Sequence, residues 1–274
     1  MLAVVLGLAS GLSWGVADFF GGLASRRAAA VAVVALSQAA GLAVALVALG
    51  VLRPEVPPAS QLATGVVAGI SGAVGLVAFY RGLAIGAMSI VAPISALGAL
   101  VPLAVDLAGG HVPGGLTLAG MAVALGGASL TASAPGPASR RGTGLAVVAA
   151  LGFGGFFALL AQAAADGPLW ALVAARCGSV PLTLLAVGVV GATLSLGRPT
   201  MRLVVWAGVL DASANLMFAY GSREGLVSVV AVLGSLYPVA TVALASIVLG
   251  ERLGRLQAAG AATALLGVVL IAAG

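Results

Sequence analysis

Charged residues are scarce in this chain, and lysine is absent. Only 7% of the 274 residues are charged, whereas 62% are hydrophobic. A soluble domain carries about 25% charged residues and covers its surface with polar side chains. The missing polar surface therefore excludes a soluble protein of this length and indicates that lipid is the solvent around most of the chain.

Cysteine and histidine are almost missing as well. Cys177 and His111 are the only residues of their types, so neither an intrachain disulfide nor a Cys/His zinc site can form. The sequence also contains no HExxH, GxGxxG or Walker A string, which argues against zinc proteolysis, dinucleotide chemistry and ATP-driven pumping by this chain. We expect no metal, no cofactor and no catalytic residues.

Ten apolar runs are long enough to cross a bilayer as helices, which takes about 20 residues each. The first run contains Trp14 and Asp18 and lacks a basic N-terminal region, so we interpret it as a membrane helix rather than a signal peptide. This pattern predicts an all-α integral membrane protein with ten transmembrane helices. The predicted spans cover roughly residues 2–24, 31–52, 61–80, 87–107, 115–133, 143–164, 169–195, 203–221, 226–248 and 256–273.

Matching strings indicate that the two halves of the chain are repeats. Phe-Tyr-Arg-Gly at 79–82 matches Phe-Ala-Tyr-Gly at 218–221, and Ser-Ile-Val-Ala at 89–92 matches Ser-Val-Val-Ala at 228–231. Because each half holds five spans, an odd number, the second half enters the membrane in the opposite sense. This predicts two inverted five-helix repeats, an arrangement that places a transport site at the midplane. The first repeat is 1–134, the linker 135–142 and the second repeat 143–274.

The arginines are distributed unevenly between the loops. Loops after even-numbered spans contain only Arg53 and Arg223. By the positive-inside rule, the odd-numbered loops lie in the cytoplasm and both termini lie outside. We therefore predict a bacterial-type inner membrane, whose anionic headgroups account for the net charge of +5 without any nucleic-acid partner. The arginines of the odd-numbered loops are Arg26, Arg27, Arg81, Arg140, Arg141, Arg198, Arg202, Arg252 and Arg255.

Three ionisable side chains, Asp18, Arg176 and Asp211, fall near the middle of predicted spans. A charge in hydrocarbon costs about 2.5–3.5 kcal/mol on insertion scales, so such residues usually face a bundle interior. We expect a central polar cluster in which Arg176 neutralises one or both acids. The cluster is either a substrate or proton site or a purely structural ion pair, and a buried pair alone does not decide between them.

Other candidates lie close to these charges or to prolines. Trp14 precedes Asp18 by four residues, and Asn215 follows Asp211 by four, so each pair shares a helix face. An aromatic ring beside an acid suits a cationic or amine-bearing ligand. The alternative for Trp14 taken alone is a helix–helix contact. Prolines in spans four and nine predict kinked gating helices. The candidate substrate-binding residues are Trp14, Asp18, Tyr80, Ser95, Arg176, Asp211, Asn215, Phe218 and Tyr237, and the candidate gating residues are Pro93 and Pro238.

Two stretches carry a family resemblance. The first is Ser-Trp-Gly at 13–15, and the second is Tyr-Pro-Val at 237–239 followed by Leu-Gly-Glu-Arg-Leu at 249–253, Gln257 and glycines at 260 and 267. The sequence resembles an EamA-type member of the drug/metabolite transporter superfamily. The resemblance implies ten helices in two inverted repeats and secondary transport, often export, of amino acids, nucleotide-like metabolites or drugs. The first half departs from this pattern, because His111 stands where the second half has Glu251.

Two other function classes stay open. Gly-Ile-Ser-Gly at 69–72 matches the serine string of an intramembrane protease, but a nucleophilic serine needs a base and His111 lies in a predicted loop. A membrane scaffold that carries nothing would need no internal charged cluster. We expect a non-enzymatic exporter of small metabolites, such as amino acids or small amphiphiles, that works by alternating access. Proton coupling and uncoupled movement stay open, as do a monomer and a weak homo-oligomer.

Overall fold

The computed structural model describes residues 1–85, 91, 94–132, 142–249 and 254–274. Within these ranges every regular element is a helix, which confirms the predicted all-α class. The helices are α1 (Leu2–Ser25), α2 (Ala30–Leu52), α3 (Ala59–Ile85), a 3-10 turn (Leu97–Ala99), α4 (Leu100–Ala108), α5 (Gly115–Ala132), α6 (Thr143–Ala163), α7 (Pro168–Val190), α8 (Arg198–Glu224), α9 (Val227–Gly234), α10 (Tyr237–Leu249) and α11 (Arg255–Ala273).

Eight helical segments in the described ranges are long and apolar enough to cross a membrane. Two shorter apolar helices, Ile94–Ala108 and Gly115–Thr131, lie where the sequence predicts the fourth and fifth spans. Large apolar side chains are exposed on the outer surface, among them Leu12, Val189 and Ile247. Lipid contact accounts for such a surface, because a soluble protein rarely exposes contiguous apolar patches of this extent. The protein is therefore a multi-pass α-helical membrane protein.

The two predicted ends that flank the connection between the seventh and eighth spans are each wrong by five residues. Helix α7 ends at Val190 rather than at residue 195, because Gly191 adopts φ 65° in the left-handed region that terminates helices. Helix α8 begins at Arg198 rather than at residue 203, with Pro199 in its first turn. A proline is tolerated there because the first backbone N–H groups of a helix have no intrahelical acceptor. Both errors arise because Gly191 and Pro199 set where a helix ends or begins without a change in hydropathy at that point.

The ninth span is broken in its middle. Its apolar run, Val227–Val248, is divided into α9 and α10 by a turn at Ser235 and Leu236. Pro238 is the second residue of α10 and lacks the backbone N–H that would continue the helical hydrogen bonds from α9. The predicted interruption at Pro238 is thus present, while Pro93, its counterpart in the fourth span, lies outside the described residues.

The helices pack in pairs through small residues. Two serine hydroxyls join α1 to α8 by hydrogen bonds: Ser10 Oγ donates to Ala214 O at 2.9 Å, and Ser13 Oγ donates to Leu210 O at 2.8 Å. Helices α5 and α11 lie so close that a Cβ built on Gly127 would meet the backbone of Ala264. In lipid, where helix association depends on van der Waals contact, small residues permit this approach.

Candidate functional site

Helices α1, α2, α3, α6, α7 and α8, each at about half its length, and Tyr237 at the start of α10 surround a cavity. Five of its lining side chains are polar and not aromatic, five are aromatic, and α3 supplies a narrow strip of small or apolar residues. The polar set is Asp18, Gln38, Arg176, Asp211 and Asn215; the aromatic set is Trp14, Phe153, Phe156, Phe157 and Tyr237; the strip is Gly69, Gly72, Ala73 and Leu76. A mostly apolar cavity with a few convergent polar groups is the usual form of a small-molecule site.

An ion pair is the most strongly bonded part of the cavity wall. Arg176 Nη2 lies 2.6 Å from Asp211 Oδ2, and the two side chains are 3% and 20% exposed. Gln38 bridges the pair, since its Nε2 donates to Asp211 Oδ2 at 3.2 Å and its Oε1 accepts from Arg176 Nη1. Ser179 Oγ also donates to Gln38 Oε1, at 2.9 Å. Trp14 Nε1 donates to the other carboxylate oxygen, Asp211 Oδ1, at 3.1 Å.

Helix direction brings these groups within reach of one another. Gln38 lies eight residues after the start of α2, and Arg176 lies eight residues after the start of α7. Because α2 and α7 run in opposite directions, with Ala45 beside Leu172 and Ala32 beside Val187, the Arg176 backbone lies about one helical turn from the level of Gln38. The long Arg176 side chain spans this distance, and the two groups meet near the middle of both helices.

Asp18 is held differently from Asp211. Its Oδ1 accepts a hydrogen bond of 3.2 Å from the Tyr80 hydroxyl, and no cation pairs with it in the described part of the chain. Gly21, one turn further along α1, leaves room for the ring, because a Cβ there would lie 2.5 Å from the Tyr80 hydroxyl oxygen. Arg176 therefore pairs with one of the two acids, Asp211, and not with Asp18.

Three buried polar atoms that belong to cavity-lining residues have no hydrogen-bond partner among the described residues: Arg176 Nε, Asn215 Oδ1 and the Tyr237 hydroxyl oxygen. The three residues are 3%, 2% and 7% exposed. Buried polar atoms in folded proteins are almost always paired with protein or with ordered water. A bound water or solute would supply the missing partners.

Aromatic rings form two clusters around the cavity. In the first, Trp14, Phe157 and Phe218 have ring centroids 5.1–5.9 Å apart. In the second, the Phe79 ring lies 5.7 Å from Phe153 and 6.0 Å from Tyr237 by centroid. Rings at these separations attract one another beyond simple burial of area, and both clusters combine helices from the two halves of the chain.

The structure places the sequence-derived candidates in three groups. Six line the cavity: Trp14, Asp18, Arg176, Asp211, Asn215 and Tyr237. Tyr80 and Phe218 lie behind this layer, where Tyr80 contacts Asp18 and Phe218 contacts Trp14. Ser95 is not brought to the lining, because its hydroxyl is buried and donates to Val91 O, four residues earlier in the chain, at 2.8 Å.

Sequence reasoning missed Gln38 and the paired rings of Phe156 and Phe157. Gln38 interrupts an apolar run with a group that must find partners in lipid, so a search for uncharged amides as well as charges would have found it. The phenylalanines carry no such signal, since an apolar ring in a membrane helix most often packs against another helix.

The serine string at 69–72 has a packing role. Ser71 Oγ donates to Gly152 O at 2.9 Å and joins α3 to α6. His111 is exposed in the connection between α4 and α5. Glu251, the acidic residue of the family pattern, lies outside the described residues.

Comparisons with known proteins agree with this architecture. A family profile described as the EamA-like transporter family matches residues 140–273. A solved structure titled "Crystal structure of protein" superposes with a TM-score of 0.81, covering 98% of this chain and 94% of that chain at 17% identity. At that identity the likeness shows a shared fold and nothing further. No curated protein sequence matches the chain.

Proposed function

The chain belongs, through residues 140–273, to the EamA-like transporter family, and from this premise we propose that it is a secondary transporter of small organic solutes. In this proposal the cavity between the two halves is the solute site, and it opens alternately to the two sides of the membrane. The candidate residues that line or support it bind the solute. Pro238, at the break between α9 and α10, allows that span to bend.

The observation that carries the proposal is the set of unpartnered polar atoms on the cavity wall. Arg176 Nε, Asn215 Oδ1 and the Tyr237 hydroxyl are buried and unsatisfied, and an unmade buried hydrogen bond costs about 1–3 kcal/mol. A purely structural ion pair would consist of Arg176 and Asp211 with Gln38 between them. It does not explain why Asn215 Oδ1 and the Tyr237 hydroxyl are buried without partners among the described residues. A site that is filled during part of a transport cycle does explain it.

Pairing between helices supports an inverted duplication with ten spans, a linker at 135–142 and repeats at 1–134 and 143–274. Exchanging the halves turns the α1–α8 contact into the α6–α3 contact, and both are among the most extensive. Equivalent helices should run antiparallel, as α5 and α11 do, with Gly120 beside Ile271 and Gly260 beside Thr131. The midplane position of the cavity follows from such a symmetry.

The direction of transport, the membrane that holds the protein and the coupling ion are proposed on separate observations. The nine-to-two arginine bias supports an inner-membrane location with both termini outside. The family resemblance is the ground for export. Asp18, which has no cation partner in the described ranges, supports protons as the coupling ion. Both walls of the cavity come from one chain, which supports a monomer or a weak homo-oligomer.

The test has two stages. Purified protein is first screened by thermal shift against a panel of amino acids, amines and nucleosides, because a bound ligand raises the unfolding temperature. Each stabilising compound is then measured for flux into proteoliposomes, with and without an imposed proton gradient. We expect at least one compound to stabilise the protein and to enter proteoliposomes faster than protein-free liposomes.

Each outcome decides a separate part of the proposal. Flux that does not respond to the proton gradient contradicts proton coupling and leaves transport standing. Stabilisation without any flux contradicts transport and favours a binding protein or scaffold. Chemical conversion of a compound in either stage would show an enzyme instead.

A further inference from the structure

Asp106 is a buried acid that does not line the cavity. It lies in the last turn of α4, is 8% exposed and forms no ion pair with a described residue. Its Oδ2 accepts a hydrogen bond of 2.9 Å from the backbone N–H of Ser228, in the first turn of α9. A buried carboxylate is costly unless it is paired or hydrogen-bonded, so this bond offsets part of the cost of burying Asp106.

The same bond supplies a cap that the sequence before α9 lacks. The first N–H groups of a helix have no intrahelical acceptor, and a Ser, Thr, Asp or Asn just before the helix usually bonds one of them. The residue before α9 is Leu226, which has no such group. Asp106, 122 residues before Ser228, accepts the N–H instead, and its charge suits the positive end of a helix dipole. The start of α9 thus depends on α4 for this hydrogen bond.

The two bonded helices pack on different neighbours. The turn that leads into α4 packs on α6, since a Cβ built on Gly98 would lie 2.5 Å from Ala150 O. Helix α9 packs on α1, since a Cβ built on Gly11 would lie 2.6 Å from Leu233 O. Backbone contact through small residues ties membrane helices closely. The Asp106–Ser228 hydrogen bond therefore joins two helix pairs, α4 with α6 and α1 with α9.

This bond lies between the cavity and the face of the protein that carries the connection between α4 and α5. Tyr237, the cavity residue of the ninth span, follows Ser228 by nine residues, roughly 14 Å at the rise of a helix. Between them, residues 230–233 are all 0% exposed. Along α9, this face offers no opening toward the cavity in the described conformation.

We propose that the Asp106–Ser228 hydrogen bond is a latch that holds the cavity closed on the face of the α4–α5 connection. When the two helix pairs separate at this face, Asp106 and the Ser228 N–H exchange each other for water, and the cavity opens there. Because water replaces both partners, the net cost of release is modest. Ser228 Oγ, which is buried without a partner among the described residues, gains one from water in the same step.

The latch rests on the proposed alternating access and adds to it a named contact that sets the balance between the closed and open conformations. A static cap would contribute to stability alone. A latch also controls how often the cavity can be reached from one face, and this difference can be measured without any solute.

Labelling of a cavity cysteine measures the opening. In a Cys177→Ala background, Ala73→Cys places a thiol on the cavity wall, at a residue that is 3% exposed. A membrane-impermeant thiol reagent is added to intact cells or to inverted vesicles, whichever present the face of the α4–α5 connection. We expect Asp106→Ala to raise the labelling rate at least about tenfold, since a hydrogen bond to a charged group shifts an equilibrium by that order. Asp106→Asn keeps an acceptor oxygen and should label more slowly than Asp106→Ala.

Asp166→Ala is the matched control. Asp166 is an exposed acid in the connection between α6 and α7, and its carboxylate accepts a hydrogen bond from Gln61 on α3. Helices α3 and α6 are themselves in direct contact, so this bond does not join the two pairs, and the labelling rate should not change. An unchanged rate in Asp106→Ala, whatever its unfolding temperature, would show a static cap and overturn the inference. An equal rise in Asp166→Ala would overturn it as well.

A disulfide tests the latch if Asp106→Ala does not fold. Asp106→Cys with Ser228→Cys, in the Cys177→Ala background, replaces the hydrogen bond by a covalent link. Oxidation should stop counterflow of a transported solute, and reduction should restore it. Failure of the two cysteines to cross-link, or counterflow that continues in the cross-linked protein, would overturn the latch. Absence of flux in the natural sequence would contradict transport instead and leave the labelling result to decide on the latch.

Discussion

Trp14 on α1 donates its indole N–H to Asp211 on α8 at 3.1 Å, across a separation of 197 residues in sequence. The bond joins the first predicted repeat to the second at the cavity wall. Asp211 also binds Arg176 and Gln38, so one carboxylate connects four helices.

Removing one partner of the ion pair should destabilise the protein. Asp211→Asn leaves the Arg176 charge buried without compensation, which costs about 3–5 kcal/mol in comparable cases. We expect a lower unfolding temperature in detergent, measured by fluorescence-detected size exclusion after heating. The double variant Arg176→Met with Asp211→Leu should recover much of the loss, because no charge is then left unpaired. Equal unfolding temperatures for Asp211→Asn and Glu224→Gln would contradict the importance of the pair.

Asn215→Leu should separate stability from function. The leucine removes a buried acceptor that has no partner among the described residues, so the free energy of unfolding should stay the same or rise by up to about 1–3 kcal/mol. The unfolding temperature should therefore not fall. Ligand-dependent stabilisation should be lost in the same variant. A marked fall in stability would show that Asn215 holds the fold rather than a solute.

Neighbouring glycines on α5 provide a matched pair for helix packing. A Cβ on Gly127 would collide with the backbone of Ala264, whereas a Cβ on Gly126 meets nothing within 4 Å. Gly127→Ala should therefore lower the unfolding temperature. Gly126→Ala should leave it unchanged or raise it, since alanine favours a helix over glycine by about 0.5–1 kcal/mol. Similar effects at the two positions would argue against the close α5–α11 contact.

Labelling tests the predicted orientation. In a Cys177→Ala background, single cysteines replace His111, between α4 and α5, and Ser195, between α7 and α8; both positions are exposed. A membrane-impermeant maleimide should label the cysteine at 111 in intact cells and the one at 195 only after the membrane is opened. The reverse pattern would mean that the arginine bias has been assigned to the wrong face.

The sequence was sufficient for the all-α class and for the charges at the centre. Hydropathy located eight helices that can cross a membrane, because such a helix needs about 20 apolar residues, and Asp18, Arg176 and Asp211 were visible as costly charges in apolar runs. Which acid pairs with Arg176 depends on helix direction and register, and hydropathy contains neither. Gln38, which bridges the pair, carries no charge. Ser95 is a polar residue in a predicted span, as a site residue would be, yet its hydroxyl donates to Val91 O, four residues earlier.

The most direct test of the central claim is counterflow in proteoliposomes. Vesicles loaded with a high concentration of an unlabelled solute that stabilises the protein are diluted into the same solute in labelled form, and uptake is followed over time. The account predicts transient accumulation with the natural sequence and with Glu224→Gln, and none with Asn215→Leu. Equal counterflow by all three proteins would contradict the claim that this cavity is the transport site.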